Sequence, residues 1–270
     1  MRTKTLLLTA ATVVAGFLSA QADTVYSQNV VGYINITVPP GGFTLLGNQL
    51  VTGTDAAKTN NNVQAVLTNA ISDANFISNT VLYAWNGAGY DVYYYFTDAD
   101  AQNQFDPTFG NGWYTGGGAF ANVSLNQGAH GGNFLKNAST SPLTITLVGQ
   151  VLQGTNVISI TPGFNTYSIG EPVSTNLNSA LINFPGTSDP NFITNDVYYH
   201  YNGSGYDVLY YFTDVDAQNQ FDPTFGDGWY TGGGAFGSTN PAVWPKVGEG
   251  FFIFHAVNST KFWTNIFSVQ

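Results

Sequence analysis

Asp98, Asp100 and Asp106 recur as Asp214, Asp216 and Asp222, so the chain twice brings three carboxylates into a short span, with Gln102, Asn103 and Gln104 among the first set. Hard oxygen donors at this spacing suit calcium, which takes about six to eight oxygens in flexible geometry. The span opens like an EF-hand loop but has Asn103 where glycine is required and Phe109 where glutamate is required, so it is not one. The plain reading is a surface loop whose Asp and Asn side chains cap turns. The same span carries Phe105, Phe109, Trp113 and Tyr114, mirrored by Phe221, Phe225, Trp229 and Tyr230. Exposed, Trp113, Tyr114, Trp229 and Tyr230 would stack on sugars beside those polar groups; buried, they would fill a core.

Other chemistry is thin. The three histidines are His130, His200 and His255, none within a nucleophile motif and no two at zinc-ligand spacing, and there is no cysteine. His200 stands where the matching context earlier in the chain has Ala84. Glu249 stands where that context has Ala129, and reads as a turn residue feeding a strand. Glycoside hydrolysis needs two carboxylates across a cleft, and fourteen aspartates offer too many pairs to single one out. Gly116-Gly117-Gly118 and Gly232-Gly233-Gly234 lead into Ala-Phe with no lysine nearby, which fits turns and not phosphate cradles. No catalytic residue is assigned.

The elements that would position these residues are β-strands. Val81–Trp85 and Tyr90–Phe96 flank Asn86-Gly87-Ala88-Gly89, and Val197–Tyr201 and Tyr206–Phe212 flank Asn202-Gly203-Ser204-Gly205; such linkers accept positive φ and mark hairpins. Leu143–Val151, rich in Thr, Ile and Val, reads as another strand. Asn62–Ala70 and Asn176–Phe184 have a capping Asn and helical apolar spacing. Along Asp91–Phe96 both alternating sets of side chains are large, which predicts a strand covered on both faces, inside a sandwich or against a sister module.

A duplication organises all of this. Residues 90–120 and 206–236 differ only at Tyr93/Leu209, Ala99/Val215 and Asn111/Asp227, at a constant offset of 116. The order of features repeats outside that span. The expected fold is mainly β: two tandem β-sandwich-like modules, residues 23–150 and 151–270, each with one short helix.

Residues 1–22 read as an export signal, with Arg2 and Lys4, an apolar run Leu6–Leu18 and small residues Ala20 and Ala22 before a mature start at Asp23. The run is too short for a spanning helix, and no later segment is long and apolar enough, so no transmembrane segment is expected in the mature chain. Losing Arg2 and Lys4 leaves four basic residues against sixteen acidic ones, a balance that repels phosphate and anionic lipid. Nucleic acid is thereby excluded as a partner; cations and neutral polymers fit.

The segments NVVGYINITVPPGGF, WNGAGYDV, YNGSGYDV, VGEGFFIF and FWTNIFSVQ together make the chain resemble duplicated secreted proteins of unknown function that are abundant in Verrucomicrobia and related bacteria. That resemblance implies an extracellular or envelope-associated β protein and carries over no catalytic residue. The sequence therefore points first to a secreted or cell-surface structural or adhesive protein, more a binder than an enzyme, whose partners would be extracellular glycans or other envelope proteins. Two alternatives stand beside it: a glycan-binding module, with or without calcium, and an extracellular polysaccharide hydrolase acting between the modules.

Overall fold

Alternation of buried and exposed positions builds the outermost layer. In β1 (Val31–Val38) Ile34, Ile36 and Val38 are buried while Val31, Tyr33, Asn35 and Thr37 face out. The computed structural model describes residues 30–52, 61–179, 184–237 and 240–268. The expected export signal, 1–22, lies outside the described residues.

The first half continues with β2 (Phe43–Gly47), β3 (Leu50–Val51), the one-turn helix α1 (Val63–Val66), β4 (Thr80–Trp85), β5 (Tyr90–Phe96), the helix α2 (Asp98–Gln104), β6 (Gly112–Tyr114), β7 (Gly128–Ala129), β8 (Gly132–Asn137) and β9 (Leu143–Val151). The second half has β10 (Gly154–Ile160), β11 (Gly163–Ser168), β12 (Val197–Tyr201), β13 (Tyr206–Phe212), the helix α3 (Asp214–Gln220), β14 (Gly228–Tyr230), a 3-10 turn at Pro241–Val243, β15 (Phe251–His255) and β16 (Lys261–Phe267). The protein is mainly β, as its sequence implies.

Each half is a sheet covered by a ribbon. The first sheet runs β2-β8-β4-β5-β6 and the second, strand for equivalent strand, β11-β15-β12-β13-β14, with β7 added beside β11. Antiparallel β1 and β9 form the first ribbon, with Ile34 opposite Leu147 and Ile36 opposite Ile145; β10 and β16 form the second, with Ile158 opposite Trp263. Between ribbon and sheet lies the core. In the first half it contains Ile36, Leu147, Leu82, Leu135 and Trp113; in the second, Ile158, Trp263, Tyr198, Ile253 and Trp229. At about 25 cal/mol per Å², burying a large ring of ~150–250 Å² is worth roughly 4–6 kcal/mol as an upper bound, so these tryptophans dominate each core.

The doubly apolar strand is covered on both faces. Tyr93 and Tyr95 of β5 pack in the first core, while Tyr94 and Phe96 join a satellite cluster with Phe76, Ala101 and Phe105.

The outer faces of the two sheets meet at a seam, and Val31–Gln270 forms one compact unit. Trp85 lies 6.1 Å from Phe252 and Phe134 lies 5.0 Å from Tyr201, ring centre to ring centre. The halves also exchange backbone pairing: Leu46 of β2 bridges Glu249, and Ala129 of β7 pairs with Tyr167 of β11. Gly47 N–H donates to Gly248 O and Gly250 N–H to Leu45 O, both at 2.9 Å. The crossing is tight enough to demand glycine, since a Cβ on Gly250 would sit 2.6 Å from Gly132 Cα and one on Gly47 only 2.4 Å from Glu249 O.

The helices differ from the sequence expectation. The helix expected over Asn62–Ala70 is a single turn capped by Asn62, whose side chain accepts from Gln64 N–H. It stops at Leu67, whose φ of -110° and ψ of 75° leave the helical region, and the freed Leu67 O accepts from the Trp113 indole N–H at 2.8 Å. In the other expected helix, Asn176–Phe184, residues 177–179 form a turn or bend and 180–183 lie outside the described residues. The helices that do span two turns are α2 and α3, in the segments expected to be acidic loops.

Candidate functional site

The repeated acidic segments are structural in their geometry. Thr97 precedes α2, and Asp98 and Asp100 occupy its first turn, where negative charge meets the positive end of the helix. Asp100 Oδ2 accepts from Thr97 Oγ1 at 2.9 Å and from Ser72 Oγ, and Asp98 N–H donates to Asn111 Oδ1 at 2.7 Å. Asp106 Oδ1 accepts from the Thr108 amide and hydroxyl, donors that hold its carboxyl below the usual carboxylate range. Asp214, Asp216 and Asp222 repeat these roles with Asp227, Thr213, Ser188 and Thr224. Among the described residues no group of three or more His, Cys, Asp or Glu side chains is placed to hold a metal ion, so the six aspartates do not assemble the calcium site their spacing suggested. The signal for a helix was present: Thr97-x-x-Asp100 has the spacing of a capping box, with Asp in the acidic position.

The four candidate stacking rings are interior. Trp113 and Trp229 are 0% exposed, Tyr114 4% and Tyr230 2%. Trp113 packs on Tyr95 at 5.6 Å, and Trp229 on Phe184 at 5.3 Å. Tyr114 and Tyr230 donate their hydroxyls to Gly110 O and Gly226 O. A sugar has no access to their faces, which corrects the expectation of a repeated glycan platform.

What the structure assembles instead lies at the seam. His200 in β12 is the cross-strand partner of Asp207 in β13. Its Nδ1 stands 3.4 Å from Asp207 Oδ2 and its Nε2 3.4 Å from Glu249 Oε2. Lys246 Nζ is 3.6 Å from Glu249 Oε1. The imidazole is nearly buried, at 5% side-chain exposure, while Asp207 is open at 41%. These groups line a cleft of about 430 Å³ whose opposite wall is Pro39, Phe43, Thr44 and Leu45 of the first half. A second hollow of about 290 Å³ adjoins it, lined only by Phe43, Tyr83, Tyr90, Phe134 and Tyr201, so Phe43 and Tyr201 stand in both.

Each ring nitrogen of His200 thus faces a carboxylate oxygen at 3.4 Å. The two lining hydroxyls are engaged elsewhere: Thr44 Oγ1 donates to Thr37 O at 3.4 Å and Tyr201 to Gly203 O at 3.0 Å.

A second histidine cluster is sealed. His255 Nδ1 bonds Asp196 Oδ1 with both side chains fully buried, His255 Nε2 donates to Ser259 O at 2.8 Å, and Lys261 Nζ lies 3.9 Å from Asp196 Oδ2. Burial pushes the Asp196 carboxyl up against the opposing pull of His255. This cluster joins strands of the second half and opens to no ligand.

Sequence reasoning singled out His200 and Glu249 by their lack of counterparts but did not bring them together, because they meet only across β12 and the turn before β15. No protein-family model matches the chain, and neither a curated protein nor a solved structure matches it significantly.

Proposed function

We propose that the protein is a non-catalytic binding module of the cell exterior, a structural or adhesive β protein exported through residues 1–22, and that it makes contact through the seam cleft and not through its repeated acidic segments. The carrying observation is the convergence of Asp207, Glu249, Lys246 and His200 with two shared aromatic rings in one open cleft. Concave sites that mix apolar walls with a few placed polar groups are where ligands bind. The engaged imidazole and hydroxyls support binding without turnover. Large apolar side chains on the outer ribbon faces, Tyr33 and Val148 on one and Phe262 and Ile266 on the other, fit a protein that works against other surfaces.

The test uses the full chain, leader included, expressed in a bacterial host. The exported species has an intact mass that begins at Asp23, and a fraction stays with the cell exterior. The double change His200→Ala, Glu249→Ala releases that fraction by about tenfold or more, measured at a temperature well below the variant's own Tm so that the loss reads contact and not unfolding. Retention unaffected by the double change would rule out the cleft as the contact site.

A further inference from the structure

We infer, building on that binding reading, that the ligand of the seam cleft is a neutral saccharide chain, bound once per protein chain across the polar cleft and the aromatic hollow beside it. The ligand class follows from the balance of groups. Asp207 and Glu249 supply acceptor oxygens, Lys246 supplies donors beside Glu249, and the His200 ring lies between the two acids. Such a wall offers interleaved donors and acceptors, which is what a ring of hydroxyls requires. Anionic polymers are disfavoured by the sixteen acidic residues of the chain.

The aromatic hollow supplies the complementary surface. Phe43, Tyr83, Tyr90 and Phe134 form a closed circuit of ring contacts, with successive centroids 5.8, 6.4, 5.9 and 6.2 Å apart, and Tyr201 leans on Phe134 at 5.0 Å. The C–H face of a sugar lies against such rings while its edge hydroxyls reach polar groups. Phe43 and Tyr201, standing in both cavities, place those two demands side by side. The opposite flank of the seam cannot repeat this. Ala84 and Ala129 replace His200 and Glu249, and the turn from Gly128 to Gly132 is longer than that from Gly248 to Gly250. It carries His130, whose ring comes within 3.5 Å of a Cβ placed on Gly87; a Cβ on the matching Gly203 meets nothing within 4 Å.

Calorimetric titration of the intact protein with cellohexaose, maltohexaose, laminarihexaose and chitohexaose tests the inference, with tetramethylammonium as the competing ligand class. One or more of the four sugars should bind with a stoichiometry of one. Tyr201→Ala should weaken that binding about tenfold, as loss of one stacking ring implies, and Tyr201→Trp, which copies Trp85, should keep it. The double change His200→Ala, Glu249→Ala should weaken it further, measured well below the variant's own Tm. Failure of all four sugars at millimolar concentration, a stoichiometry of two, or tighter binding of tetramethylammonium lost on Tyr201→Ala would each overturn the saccharide assignment. Retention of the double variant on cells judges the binding reading separately, so the two can fail independently.

Discussion

The two flanks of the seam descend from the same pattern and have come apart. On one, Gly203 borders an open cleft lined by His200, Asp207 and Glu249; on the other, Gly87 lies against His130, and Ala84 and Ala129 remove the imidazole and one carboxylate. The span that is nearly identical between halves, 90–120 and 206–236, builds β5, α2 and β6 in one half and β13, α3 and β14 in the other. Its rings fill the cores and its aspartates cap the short helices. Near-identity within this chain thus marks shared interior architecture, while the candidate site lies where the halves differ. An interior must satisfy the same packing in both copies, whereas a contact site at a seam is needed once.

The largest expected effect tests that claim directly. If the repeated span is interior in both halves, Trp113→Ala and Trp229→Ala should each cost about 3–5 kcal/mol, with Trp113→Ala also stranding Leu67 O. Chemical denaturation of the two variants measures it. A neutral result for either tryptophan would return that ring to the surface and revive the repeated-platform reading.

A smaller effect probes the seam. Gly250→Ala places a Cβ 2.6 Å from Gly132 Cα and 3.1 Å from Leu46 O, backbone on both sides, so it should destabilise by about 1–3 kcal/mol. Gly205→Ala, where nothing lies within 4 Å, is the control and should change stability by less than about 0.5 kcal/mol. Equal melting of the two variants would mean that the halves do not rely on their crossing.

The smallest effect separates the halves by pH. Glu171 is fully buried in the second half, where Asn156 and Asn265 donate to its carboxylate at 3.2 Å. Burial pushes its carboxyl above the ordinary value of 4.5, against the pull of those amides. With the folded value raised, the folded chain binds more protons than the unfolded one. Its contribution to stability is therefore greatest below pH 4.5 and falls as pH rises toward the raised folded value. Glu171→Gln should flatten Tm against pH above about 4.5, because an amide has nothing to ionise. Asn265 Oδ1, which has no hydrogen-bond partner among the described residues, can accept from the new amide after a flip. A steeper profile in the variant would contradict the assignment.

Much of the fold was legible in local patterns. The Asn-Gly hairpins form where expected: Asn86 Oδ1 accepts from Ala88 and Gly89 N–H, and the flanking strands are β4 and β5. The strand expected over Leu143–Val151 is β9 with the same bounds. Asp98–Gln104 was misread because an Asp- and Asn-rich segment resembles a loop when only composition is weighed, although its first turn carries helix-start chemistry. Asn62–Ala70 was read too long because its apolar spacing could not reveal that the chain leaves helical dihedrals at Leu67, where it meets Trp113, distant in sequence.

By itself, then, the sequence determined the β character, the hairpins and the order of repeated features, since each depends on residues near one another in the chain. Only the tertiary structure decided which aromatic rings are buried, because β5 is large on both faces and its pattern does not say what covers each. It also decided where the site is. His200, Glu249 and Phe43 come from three separate stretches and converge because two sheets of the same strand order exchange backbone pairs at Leu46–Glu249 and Ala129–Tyr167, a long-range register that no local spacing encodes.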